Sequence, residues 1–493
     1  MSAQQRSGKA KLDDVTKLLN DLKTDLDAPK LSSQQRKQQL EQLKVYGRDP
    51  TNADPIFTQD GLRTLGRYAF KEKDAAVSQE ALRCIANALL LQPKARQILV
   101  DLGHGTDAAE KFKARTSRTL SDERCSDCRQ GDSIDDEFLL SRVLFLTTYG
   151  ANLDYNELVN EHNLADSINA ALQRHADRYT EPRQRAKEHI APMDLMALSE
   201  TLKLLFNITH FHPDLSQHFT SSIPHIYKIL LRRDAPTKPL DAPVSYLINA
   251  LLNLVREEGT GGTSQPHDPD LHAALFPSTD PSINVTCMIT ILDTSIRAYP
   301  ASELDATISP LLTLLRRIYE LAPTDVQETM QSKLLPSNSD RAQPLGKTSS
   351  LPSRLLQLST SAQTPALRDS ISAFHFELSS KDPAQYVQNV GYGYASGFLL
   401  SKNIPMPESA LKEAGVADNG EGTSVPVNPI TGQRLDKEEQ VEMPEMSQEE
   451  KEREAERLFV LFERLKKTGV VDVKNPVEEA YRSGRIEEMS DSD

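Results

Sequence analysis

Few residues in this chain have the type and spacing that bond-making chemistry needs. Cys125 and Cys128 are separated like a pair of zinc thiolates, but no second pair follows at finger or ribbon spacing, so they read as loop thiols. His210 and His212 lie two apart just past a helical stretch, without the carboxylate or third histidine that would complete a metal site. Leu345-Gly346-Lys347-Thr348 ends like a phosphate-binding loop, yet Arg341 stands where the partner glycine belongs, which excludes a nucleotide cradle. Val390-Gly391-Tyr392-Gly393-Tyr394-Ala395-Ser396-Gly397 is glycine-rich but lacks the preceding strand of a dinucleotide site, and reads as tight helix packing or a turn. No serine or cysteine has the surroundings of a nucleophile. The chain is expected to act by binding, without catalytic residue, metal or cofactor.

The informative side chains are amides. Asn87, Asn207 and Asn253 each interrupt an apolar run: Ala81 to Leu89, Thr201 to Thr209, and Leu247 to Val255. A buried amide costs free energy unless its donors and acceptor are paired. Two readings stay open: the three amides satisfy neighbouring backbone carbonyls or a loop, or they line a groove and hold a ligand's main chain. Aligning them puts Leu82, Leu202 and Ile248 in one column and Ile85, Leu205 and Leu251 in another. They are 120 and 46 residues apart, close to three units and one unit of the armadillo/HEAT period of roughly 40 to 47 residues.

The elements that carry these amides are helices. Most of residues 12 to 400 resolve into short apolar-periodic segments punctuated by Pro, Gly, Asn and Asp, and strand alternation is almost missing. Aromatics make up 5% and Trp is absent, which disfavours sandwiches and propellers. The expected fold is all-α: an armadillo/HEAT-like solenoid superhelix over residues 1–402, in which each helical hairpin buries one face on its neighbours and leaves a concave groove. Stretches rich in Ser, Thr, Pro and charge at about 105–137, 257–282 and 332–365 are expected to be mobile insertions. Residues 403–446 read as an extended linker, and 447–493 as an amphipathic helix with an acidic tail.

That last helix is well signalled. Ser447-Gln448-Glu449-Glu450 has the capping-box form, Lys466 and Lys467 fill the last turn, and Gly469 stands at the C-cap. Leu458, Leu461, Phe462 and Leu465 share one face. Such a stripe needs a partner, either its own solenoid or a second protein. From Asp436 to Asp493 there are 18 acidic and 10 basic residues, a net of −8 out of −14 for the whole chain. With no positive field, nucleic acid and anionic membrane are poor partners. The N-terminus has no apolar signal core and no stretch has the length of a membrane span, so a cytoplasmic protein is expected, its four cysteines suiting a reducing compartment.

Leu202 to Thr209, Gly391 to Leu400, and Asn428-Pro429-Ile430-Thr431-Gly432 with the capped helix beyond it occur in an order that resembles the synembryn family, also called resistance to inhibitors of cholinesterase, in its fungal form. The resemblance runs from about Lys44 to Lys467. It implies a guanine-nucleotide exchange factor and folding chaperone for heterotrimeric G-protein α subunits (Gα), monomeric, and drawn to the cell cortex or plasma membrane through the G protein. In this family the solenoid groove takes the C-terminal helix of Gα and the tail helix reaches the GTPase domain. By matching segments, groove contacts fall at Lys44, Arg48, Asn87 and Asn207, with Arg83, Lys203 and Asn253 as extensions, and tail contacts at Leu458, Leu461, Phe462 and Leu465. One departure stands out: Ala417 to Val427, acidic and phosphorylatable in animal members, holds only Asp418 and Glu421 here. Ser490 and Ser492 are candidate phosphorylation sites in its place, against a plain solvated terminus. The alternative is an armadillo-type adaptor or scaffold without exchange activity, although nuclear carriers of that kind rely on Trp arrays that this chain lacks.

Overall fold

The computed structural model describes residues 7–121, 130–179, 191–233, 237–256, 268–405, 415–417, 425–428, 431–438, 447, 450 and 453–460. The chain divides into two units, Met1–Leu435 and Asp436–Asp493. The first begins with α1 (Gly8–Asp27) and α2 (Ser33–Tyr46), then α3 (Gln59–Lys71) and α4 (Ala75–Leu91), α5 (Pro93–Asp101), and α6 (His104–Ser121) with α7 (Gln130–Thr147). It continues through α8 (Tyr155–Asn160), α9 (Leu164–Asp177) and α10 (Pro192–Phe211), α11 (Ser222–Arg232) and α12 (Val244–Leu254), α13 (Pro269–Leu275), and α14 (Ile283–Ala298) with α15 (Ala301–Leu321). It ends with α16 (Thr324–Leu334), α17 (Leu351–Leu358), α18 (Pro365–Leu378), α19 (Pro383–Val390) and α20 (Tyr392–Ser401). The strands described are β1 (Gly415–Ala417) and β2 (Val425–Val427), paired antiparallel with Val416 opposite Pro426. The fold is an all-α solenoid.

The helices sort into two layers by what they touch. One layer runs α1, α3, α6, α9, α11, α14, α16; the other runs α2, α4, α7, α10, α12, α15, α18, and each helix packs on its neighbours in the layer and on its hairpin partner. Contacts that reach only the adjacent repeat are what define a solenoid. The second layer holds the aligned columns: Leu82, Leu202, Ile248 and Ile85, Leu205, Leu251 are each at most 1% exposed.

Local signals set the boundaries. Ser32 and Gln35 close a capping box on α2, Asp74 accepts from Ala76 and Val77 at α4, and Pro93, Pro192 and Pro365 occupy the first turns of α5, α10 and α18. Three helices meet at Glu137 in α7, 2% exposed, which accepts from Arg174 Nη2 (3.0 Å) and His175 Nε2 (2.8 Å) of α9 and from Thr201 Oγ1 (3.0 Å) of α10. Burial pushes this carboxyl up, but those three partners outweigh it and hold it at about 2.

The spans expected as insertions carry regular structure where they are described. Residues 105–121 and 130–137 belong to α6 and α7, 269–275 form α13, and 351–358 form α17, whose N-cap Ser350 accepts from Ser353. Their Ser and Thr content reads as loop because hydroxyls favour turns, yet here Thr348, Ser350 and Ser353 bond to one another and to Asp340 around the start of α17. The end of the expected linker also docks. Arg341, 1% exposed, donates to the carbonyls of Gly432 (3.0 Å), Gln388 (2.9 Å) and Asn389 (2.9 Å), while Leu345 N donates to Thr431 O at 3.1 Å. Gly432 turns there with φ +66°, and a Cβ would lie 2.4 Å from Leu345 Cδ1. Beneath it lies a second core of Leu345, Leu356, Tyr386, Val387, Val390, Ala395 and Leu399. Within the glycine-rich stretch Gly391, at φ +80°, makes a one-residue turn between α19 and α20, and Tyr392 to Gly397 belong to α20.

Candidate functional site

The second layer carries a band of partly exposed polar and aromatic side chains, and two buried glutamates organise it. Glu80 on α4, 6% exposed, accepts from Lys44 Nζ of α2 at 2.6 Å and from Arg83 Nη1 at 2.8 Å; Arg83 Nη2 reaches Asp135 Oδ2 of α7 at 2.8 Å. Glu200 on α10, 4% exposed, repeats the device: its Oε1 accepts from Arg142 Nη1 of α7 at 3.1 Å and from Lys203 Nζ at 3.0 Å. A buried carboxylate is costly unless paired, and each of these holds one cation from its own helix and one from the preceding helix of the layer. The Lys203 ammonium also lies over the Phe145 ring (5.9 Å) and the Tyr246 ring (5.0 Å), and Arg142 over Phe138 (5.8 Å). Four half-exposed cations against Glu80, Glu200 and Asp135 leave the band with one positive charge in excess.

The three aligned asparagines divide. Asn207, 3% exposed, donates to Thr148 Oγ1 at 2.7 Å, and Asn253 to Phe206 O at 3.0 Å and Thr209 Oγ1 at 3.3 Å. These two tie one repeat to the one before. The half-buried Asn87 amide has no hydrogen-bond partner among the described residues and is open to a ligand. Arg48, just past the end of α2, is exposed and in no ion pair among the described residues. The seven groove residues anticipated from sequence therefore lie on α2, α4, α10 and α12 or next to them, with Lys44, Arg83 and Lys203 pinned by carboxylates.

At the C-terminal ends of α4, α7 and α10 the band ends in an apolar ledge. Leu90, Tyr149 and Phe211 are 46%, 40% and 48% exposed. Tyr149 meets Phe145 and Phe211 edge to face at 5.3 and 6.2 Å, and His210 stacks on Phe206 at 5.6 Å. An amphipathic helix could lay its apolar side chains here and its polar terminus on the cations and the Asn87 amide.

Glu80, Glu200, Arg142 and the ledge were missed in the sequence. A signal for two of them exists: Glu stands seven residues before Asn87 and before Asn207, with Arg83 or Lys203 between, so α4 and α10 share one Glu-x-x-cation-x-x-x-Asn pattern. In the second unit, residues 453–460 are helical, Ser447 N donates to Glu450 Oε2 at 2.9 Å as a capping box requires, and Leu458, Phe459 and Val460 are exposed. Leu461, Phe462, Leu465, Ser490 and Ser492 lie outside the described residues, as do Cys125 and Cys128. Among the described residues Glu157, Glu161 and His162 bring possible metal ligands within 4.8 Å of one another, but on the surface, where His162 already faces Glu110 and Glu157. No helix among the described residues is long and apolar enough to cross a membrane.

A family model described as guanine nucleotide exchange factor synembryn matches residues 39–485. A synembryn-like chaperone of Schizosaccharomyces pombe is 33% identical over 196 residues, spanning 38% of this chain and only 37% of that relative. Chaperone Ric-8A of Gallus gallus is 24% identical over 510 residues, covering 92% of this chain and 87% of its own, and Chaperone Ric-8A of Xenopus laevis is 22% identical over 475 residues, covering 88% and 81%. An engineered protein of solved structure aligns at a TM-score of 0.35 with 14% identity, covering 79% of this chain and 92% of its own, and carries no argument here. The family match runs through both the second-layer band and the capped helix beyond it, and the chain belongs to the synembryn family of guanine nucleotide exchange factors.

Proposed function

We propose that this chain is an exchange factor and folding chaperone for Gα, holding the nucleotide-free form by its C-terminal helix against the second-layer band. The observation that carries the reading is the open Asn87 amide, set between glutamate-pinned cations and the exposed Tyr149–Phe211 ledge. A helix that ends in a carboxylate offers a matching anion, a free main-chain terminus and an apolar face.

The mechanism needs affinity and no proton transfer. A solenoid that binds the helix only when it is detached from the GTPase core prefers the empty protein, and by linkage weakens nucleotide binding by the same factor. Incoming GTP restores the docked helix and expels the solenoid. The same preference keeps a newly made, empty Gα folded until nucleotide arrives. The protein acts as a cytoplasmic monomer that meets the membrane only through its G protein, and the tail stripe from Leu458 to Leu465 grips the GTPase domain.

The test is release of labelled GDP from Gα with the chain present in substoichiometric amount. Acceleration is expected, with loss of most of it in Arg48→Glu and Asn87→Ala, which remove no side-chain hydrogen bond or ion pair among the described residues. Unchanged release with wild-type protein would remove the exchange reading.

A further inference from the structure

Pro310 stands in the interior of the 21-residue α15, where it has no N–H to give the carbonyl of Ala306 one turn earlier. Ala306 is exposed, and it lines an open cavity of about 330 Å³ between α15 and α12, the neighbouring helix of the same layer. Across that cavity stand Asn249 and Ser245, both half-buried and both without a hydrogen-bond partner among the described residues. Two polar side chains without a partner, an amide that donates and accepts and a hydroxyl, thus share the cavity with the residue whose carbonyl lacks its usual helical donor. The rim is acidic. Asp241 and Glu303 border it, and Lys238, the one cation among its described lining residues, is spoken for by Glu303 at 3.4 Å and by the Tyr299 ring at 5.4 Å. A helix-breaking residue beside a polar cavity is a local cost to stability of the kind that accompanies binding sites.

We infer that this cavity is a second seat for client chain, taking an extended stretch that carries a Lys or Arg. An extended main chain presents N–H and C=O in alternation, which the Asn249 amide can pair with together, while the Ala306 carbonyl accepts the next N–H. Asp241 and Glu303 attract the basic side chain and repel phosphate and other anions. The inference rests on the reading of Gα as client and adds an unfolded interior stretch of it to the C-terminal helix already assigned to the adjoining band of the same layer.

The experiment probes an array of overlapping 12-residue peptides covering a Gα sequence with the full-length chain, read separately for C-terminal and interior peptides. Wild type is expected to capture both classes, with Lys or Arg central in the interior ones. Asn249→Ala and Pro310→Ala should each weaken interior capture about tenfold, the usual effect of losing one such hydrogen bond in a partly dry site, and leave the C-terminal peptides unchanged. Pro310→Ala restores the helix N–H and raises the melting temperature, so its loss of capture is not loss of fold. Asp241→Asn with Glu303→Gln should abolish the preference for basic peptides. Capture of C-terminal peptides alone, or equal interior capture by all variants, overturns the seat. Capture of neither class overturns the Gα reading and the seat with it.

Discussion

Glu137 and Glu200 show what a single buried carboxylate does in this array. Glu137 joins α7 to α9 and α10, and its carboxyl sits at about 2 in the fold against an ordinary 4.5. As pH falls the unfolded chain takes up the proton first, so the stabilisation is whole above 4.5 and drains away as the pH drops to about 2. Glu137→Gln should cost about 3 kcal/mol near neutral pH, by leaving the Arg174 guanidinium without its charge partner, and should flatten the fall of the urea midpoint across that window. A midpoint that falls as steeply with acid as in wild type would mean that other carboxyls govern the slope, Asp25 beside Arg36 and Tyr68 being the next in line. At Glu200 the released cations are more than a quarter exposed and regain water. Glu200→Gln should therefore cost less, about 1 kcal/mol, while weakening capture of a Gα tail peptide, because Arg142 and Lys203 lose their fixed positions. These partners were hidden from sequence reading for a simple reason: Lys44 lies 36 residues from Glu80 and Arg142 lies 58 from Glu200, and a pairing set by the stacking of repeats leaves no local period. The asparagines were legible because an amide in an apolar run breaks a pattern by itself.

Helices were legible where an apolar run repeated, as at α4, α10 and α12. Short elements rich in hydroxyls were not. The eight-residue α17 has one clear signal, Ser350 before Pro352, and its burial against the second core is a tertiary fact. Pro310 is the opposite case, a strong local signal overruled by packing on both sides of α15. Pro310→Ala should stabilise the chain by up to about 3 kcal/mol, the usual penalty for an interior helical proline, measured by urea unfolding; no gain would mean that α15 had already relaxed around it. Gly432→Ala combines a left-handed backbone with a clash on Leu345 and should cost about 2 kcal/mol locally. Its mark would be faster proteolysis between residues 427 and 434, with the rest of the solenoid unaffected.

For the molecule as a whole, the chain divides into a solenoid ending at Leu435 and a shorter second unit, and the proposed function gives each a job of its own. Truncation before Ser447 should leave tail-peptide binding intact and reduce exchange on whole Gα; full retained exchange would reduce the capped helix to an accessory.

The guanidinium of Arg341 bears on how the chain is born. Its acceptors on Gln388 and Asn389 are 47 and 48 residues further along and the one on Gly432 is 91, so a polypeptide leaving the ribosome can satisfy part of the guanidinium early but leaves one of its nitrogens, and the side of Leu345 that meets Gly432, uncovered until Gly432 has emerged. The proposed shelter for unfinished clients thus closes a contact of its own late in synthesis.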